Sequence, residues 1–147
     1  MSSVPKGRRS ISKQEFDSIY YRIHDEAADM VHQKFHASEE VLAQNHAYVY
    51  AVSKALMNHV FDLIYHIKTA NTLYPTTHEE LMERRMQQDK AIGTCMSMLT
   101  LYELVLHKLK VPDDKCVQEI NTIMYEINAI KAWRTSDNKR FKDLEQG

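Results

Sequence analysis

The chain has little of the material from which turns, disulfides and membrane spans are made. Its 147 residues include only three glycines and three prolines, scant provision for the many turns of a β protein. Two cysteines, Cys95 and Cys116, are too few for a disulfide scaffold. Both fall in apolar helical patterns, where a free thiol behaves as a small hydrophobe. No apolar run approaches the roughly 20 residues of a membrane helix. The opening residues are polar with no hydrophobic segment behind them, so no secretory signal is expected. There is no Gly-rich phosphate loop, no Gly-x-Ser-x-Gly elbow and no paired CxxC. The expectation is a soluble cytoplasmic protein that is not an enzyme and carries no cofactor.

What is present is ordinary in amount and uneven in placement. Charged residues at 27% and hydrophobic ones at 44% suit one globular domain, and the formal charge is −1 with a pI near 6.7. Such a balance excludes a chain built as a whole for nucleic acid. Locally, Lys6, Arg8, Arg9 and Lys13 stand in a start free of acids, and residues 15–50 carry seven acids against two bases. Residues 104–142 hold eight bases against five acids. A basic patch is therefore expected at the start and near the end.

Helical periodicity organises the rest. Residues 1–11, polar and basic, read as a disordered N-terminus, residues 12–140 as the folded domain, and 141–147 as a C-terminal tail. Ser12 to Glu15 fits a capping box, followed by Phe16, Ile19, Tyr20, Ile23, Ala27, Met30 and Val31 at helical spacing to about Phe35. His36 to Asn45 is ambiguous, with Ser38 or Asn45 as the next cap. A second helix aligns Tyr48, Val52, Ala55, Leu56, Leu63, Ile67 and Ala70, and Tyr74-Pro75 stops it. Thr77 to Glu80 is another capping box. It opens a third helix through Leu81, Arg85, Gln88, Ile92, Met96 and Leu99 to about Leu109. Gly93 in its middle costs ~1 kcal/mol against alanine, which suggests close helix packing there. After Val111-Pro112-Asp113, the stripe Cys116, Ile120, Ile123, Ile127, Ile130 marks a fourth helix. Short connections between long amphipathic helices predict an all-α, up-and-down antiparallel four-helix bundle. The first helix either joins it or stands as an arm outside it.

Three polar constellations invite a functional reading. Asp25, Asp29, His32 and His36 would share one face of a continuous helix, two carboxylates and two imidazoles, which suits a metal if other helices add ligands. The Glu-x-x-His pairs of di-iron bundles are missing, so a solvated polar face is the plainer reading. His59, Asp62 and His66 form a second polar line. In the third helix, adjacent Arg84 and Arg85 point about 100° apart. Arg85 aligns with the apolar stripe, and a bundle-facing arginine must be paired. Glu83, Asp89 or a partner subunit are the candidates.

The last helix finishes as YEINAIKAWRTSDNKR, residues 125–140, in which the sole tryptophan is followed by arginine and a polar, basic run. It reads either as a helix end with Trp133 folded onto the bundle or as a contact surface. Trp and Arg anchor interfaces, and bases beside an aromatic suit phosphate and base stacking.

Two stretches together carry a resemblance. One is Ala70-Asn71-Thr72-Leu73-Tyr74-Pro75 followed by Glu83-Arg84-Arg85, Gln88, Ala91-Ile92 and Cys95. The other is Glu126-Ile127, Ile130 and Trp133-Arg134-Thr135-Ser136-Asp137-Asn138. Over roughly residues 50–140 the chain resembles the accessory variability determinant family. These are bacterial four-helix-bundle proteins encoded beside the reverse transcriptase of diversity-generating retroelements. More distantly it is similar to bundle proteins encoded in intervening sequences of 23S ribosomal RNA. The resemblance implies a non-catalytic homopentamer that binds the reverse transcriptase and its structured template RNA in support of mutagenic cDNA synthesis. It implies Arg84, Arg85 and Gln88 at helix or subunit interfaces, and Trp133, Arg134 and the neighbouring bases Lys131, Lys139, Arg140 and Lys142 as an RNA- or enzyme-facing surface. On that basis the isoleucines are core and WRTSDNKR is contact surface. With a near-neutral chain, any RNA contact would be confined to this end and the Lys6–Arg9 arm. A helical scaffold that binds only protein, and a metal-binding bundle enzyme, are the alternatives.

Overall fold

Among the described residues the spacing of apolar residues becomes four long α-helices and one short one. The structure, a computed structural model, describes residues 11–146, with side chains from Ile19 onward. The helices are α1 (Ile11–His32), α2 (Glu39–Ala43), α3 (His46–Thr72), α4 (His78–Lys108) and α5 (Val117–Arg140). No strand occurs among the described residues. Residues 1–10 of the expected disordered start lie outside what is described; Ser12 to Glu15 are helical in α1, and the side-chain bonds of their expected capping box lie outside the described side chains.

Around the bundle the order is α1, α3, α4, α5, each long helix packing on two neighbours. Side-chain pairs give the direction. As α1 advances from Arg22 to Glu26, its partners on α5 retreat from Thr122 to Gln118, so the two run antiparallel. His66 bonds to Gln87, and the carbonyl of Ala70 to Arg84, which sets α3 against α4 in the same sense. α1 is therefore part of the bundle: Ile19, Tyr20, Ile23, Ala27 and Met30 are buried in a core shared with Val60, Leu63, Ile67, Ile123 and Ile130. Each such valine, leucine, isoleucine or methionine contributes about 1.5–3 kcal/mol by leaving water.

The connections carry sequence logic of their own. The first predicted helix ends early, at His32, because Lys34, Phe35 and His36 adopt φ of 51°, 58° and 60°. A left-handed turn costs about 1–2 kcal/mol per non-glycine residue, and here fully buried Phe35 anchors it. Of the two candidate caps only Ser38 acts through its side chain: its Oγ accepts from the amide of Val41 to start α2, whereas Asn45 holds the N-cap position of α3 with no side-chain cap bond and donates back to the carbonyl of Val41. The box at α4 forms as Thr77 Oγ1 accepts from the Glu80 amide at 3.1 Å. Glu80 reaches back one residue further than usual, to the amide and hydroxyl of Thr76 at 2.9 and 2.8 Å. At its other end α4 closes in a Schellman motif. Lys110 sits at φ 55° and Val111 donates to the carbonyl of Leu106 at 3.0 Å.

Two expectations for α4 are corrected. Its buried face is Leu81, Arg84, Gln88, Ala91, Cys95, Met98, Tyr102 and Val105, about a residue round from the predicted stripe. Arg85, Ile92 and Leu99 lie at its edge, and Met96 is exposed. The shift arises because α4 touches both α3 and α5, so apolar residues spread over more than one face and the period alone does not locate its centre. Gly93 has no packing role either. It is exposed, and a Cβ placed there would meet nothing within 4 Å.

Candidate functional site

The stripe of α5 does not stop at Ile130. It continues through Trp133, Asp137 and Phe141, all buried, at spacings of three, four and four. A carboxylate in the last turn of a helix faces the negative end of the helix dipole, and at 1% exposure it has no water to help. Asp137 is stable there because Arg84, 4% exposed, enters from α4. Arg84 Nε donates to Oδ2 at 2.7 Å and Nη2 to Oδ1 at 3.0 Å, a bidentate fork. Its Nη1 donates to the carbonyls of Ala70 and Leu73, which closes the unfinished end of α3. The guanidinium lies over Trp133 and Phe141, 5.0 and 5.5 Å from their ring centres. One side chain thereby ties three helix ends together.

Around this pair a second layer is equally committed. Gln88 Nε2 donates to Asp137 at 2.8 Å, and its Oε1 accepts from Arg134 Nε at 2.9 Å. Arg134 also donates to the carbonyl of Arg85 and to Asp89. Arg85 makes two bonds to Glu145 at 2.7 and 2.6 Å and one to Asn138 at 2.7 Å. The bonded Glu145 holds the Arg85 guanidinium above, and Arg85 holds the Glu145 carboxyl below, its ordinary value. The imidazole Nδ1 of His78 meets the carbonyl of Leu144 at 2.8 Å. Residues 141–146 thus fold back on α4, and packing continues past the boundary expected at 140.

Three of the sequence expectations change here. Trp133 is 2% exposed, so it belongs to the core and cannot present its ring to a base. Arg134, half-buried, turns its Nε and Nη2 to Gln88, the Arg85 carbonyl and Asp89 of α4. The core-facing arginine is Arg84 rather than Arg85, and it pairs with Asp137 instead of Glu83 or Asp89. Arg84, Arg85 and Gln88 all lie between α4 and the end of α5. Of the six candidate contact residues, Lys131, Lys139, Arg140 and Lys142 remain exposed. Steps of 100° put Lys139 about 80° and Arg140 about 180° round the helix from Lys131, so they encircle the tip and do not form one strip. Asp137 was missed because the apolar pattern was followed only to Ile130. An acid seven residues beyond an isoleucine on the core face was the available signal.

The other constellations do not converge. With α1 ended at His32 and the left-handed turn behind it, His36 leaves the face of Asp25, Asp29 and His32. Asp25 bonds its neighbour His24. Among the described residues no three His, Cys, Asp or Glu side chains are grouped to hold an ion. His66 is turned to Gln87 at 2.7 Å, away from His59 and Asp62 as a unit. Burial pushes both thiols up, that of Cys116 to about 12, which leaves neither a ready nucleophile. No described helix is long and apolar enough to cross a membrane. Comparison with protein-family models, curated proteins and solved structures finds no match for this chain.

Proposed function

We propose that this protein is a non-catalytic accessory protein of a diversity-generating retroelement. In this reading it binds the element's reverse transcriptase and structured template RNA and works as a homo-oligomer, a pentamer by resemblance. The observation that carries the reading is where its two resembling stretches meet. Arg84, Arg85 and Gln88 from one, and Trp133, Arg134, Asp137 and Asn138 from the other, form one bonded cluster. Residues that jointly hold a helix end are those a shared fold would retain. The cluster itself balances three arginines with Asp89, Asp137 and Glu145, so it offers phosphate little attraction. The partner-facing groups in this proposal are Lys131, Lys139, Arg140 and Lys142.

The test is co-purification from the native host at low and high salt, with mass spectrometry and RNA sequencing. A reverse transcriptase and one discrete RNA, the RNA released as salt rises, is the expected result. Changing the four exposed bases together to glutamate should lower that retention while the helical circular dichroism is kept. Absence of both molecules from the wild-type preparation would end the proposal. A protein-only scaffold is the second reading, favoured by exposed Tyr50, Phe61, Tyr65, Met96 and Met124.

A further inference from the structure

The seam between α4 and α5 is open on its outer side at the end away from the Arg84–Asp137 pair. There a groove of about 650 Å³ is floored by Leu99, Leu106, Val117, Ile120 and Met124. Val117 is 48% and Met124 51% exposed, and Met96, one turn before Leu99 on α4, is 54% exposed. The remaining groove-lining side chains include Glu103, Asp113 and His107, with no lysine or arginine. The groove is thus apolar in its floor and acidic at its rim.

We propose that this groove is a docking site for an amphipathic helix of another protein, one whose apolar stripe is flanked by lysine or arginine. Two antiparallel helices leave a trough that a third helix fills ridge into groove, anchored by residues at i, i+3 or i+4, and i+7. From Val117 to Met124 is seven residues, or about 10 Å of helix, a length that accepts three such anchors. Methionine at the contact adapts to the shape of the incoming side chains. Charge selects among occupants. Glu103 and Asp113 attract a basic flank, repel the phosphates of RNA, and would face their own copies if this surface paired with itself about a two-fold axis. The inference stands apart from the retroelement reading, since it needs only a helical partner of this chemistry.

The experiment uses two synthetic fluorescent peptides of about 18 residues, roughly 27 Å as helix. They share one leucine stripe and differ in lysine or glutamate flanks. Anisotropy titrations against the full chain should show the lysine peptide binding on the order of tenfold or more tightly than the glutamate peptide. Met124→Lys, and separately Val117→Lys, should each weaken the lysine peptide by a similar factor. Glu103→Lys combined with Asp113→Lys should reverse the preference. All four positions are at the surface, and circular dichroism checks that each variant is folded. Equal binding of both peptides, binding unmoved by either floor variant, or no binding would overturn the proposal. So would displacement of the peptide by structured RNA, or a self-associated chain that Met124→Lys renders monomeric.

Discussion

Removing the Asp137 carboxylate should be the most damaging single change to a polar residue in this protein. Asp137→Ala deletes three acceptor contacts, two from Arg84 and one from Gln88. It leaves a guanidinium that is 4% exposed with two carbonyls and two aromatic faces but no counter-charge. Breaking a buried pair from one side costs about 3–5 kcal/mol, against a total stability of about 5–15 kcal/mol for a domain. With a urea slope of about 2 kcal/mol per molar, the midpoint should fall by roughly 1.5–2.5 M. The paired change Arg84→Met with Asp137→Leu should recover part of that loss, because it removes both desolvated charges, although it leaves the Ala70 and Leu73 carbonyls and the Gln88 amide without these partners. Urea melts of the wild type, Arg84→Met, Asp137→Leu and the double variant close the cycle, with Asp137→Ala measured beside them. A loss below about 1 kcal/mol for Asp137→Ala, or a double variant no better than the singles, would refute the reasoning that this pair holds the bundle end.

Two further outcomes follow from α4. Gly93→Ala should stabilise the chain by about 0.5–1 kcal/mol, since the added methyl meets no atom within 4 Å. Calorimetry should register it as a rise of a few degrees in Tm, and a fall would mean that an unseen neighbour uses the missing Cβ. Glu80 accepts bonds from Thr76 and its carboxyl is held below its ordinary value. A depressed carboxylate contributes stability above its unfolded pKa of about 4.3 and loses it as pH falls through the lower folded value. The stability difference between wild type and Glu80→Gln should therefore be largest near neutrality and shrink in acid. A difference independent of pH would remove the carboxylate from the cap.

The elements were legible where one physical rule acted alone. Apolar residues recurring at helical spacing located α3 and α5, Tyr74-Pro75 and Pro112 placed two of the breaks, and Thr77 to Glu80 marked the start of α4. Legibility failed where two partners competed for a helix. α4 is covered by α3 on one side and α5 on the other, so the centre of its buried face lay a residue from where the period put it. That displacement exchanged the roles of Arg84 and Arg85. The turn at Lys34 to His36 was invisible for another reason. No glycine advertises it, and it is held by the burial of Phe35, a tertiary effect. The candidate site was half legible: WRTSDN stands out as a segment, but its own residues leave Trp133 between core and contact surface, and it is the resemblance that assigns the segment to the surface. A long-range partner, Arg84, is what makes a core position of Asp137.

Because the end of the bundle is held by charges that cancel, holding and recruiting are separable there. Arg84, Arg85 and Arg134 are each engaged with an acid of the same chain, and drawing one toward an RNA phosphate would strip its partner. Among the described residues Lys131, Lys139, Arg140 and Lys142 have no such acid partner on their exposed positions, although Arg140 rests over Phe141. Changes to the first set should lower stability and any binding together, whereas changes to the second should lower binding at constant stability. A glutamate variant of the four bases that melts like wild type yet keeps its partners would place the contact surface elsewhere on the bundle. The acid-rimmed groove between α4 and α5 would then be the place to look for a protein partner, since its charge leaves no reason for RNA to settle there.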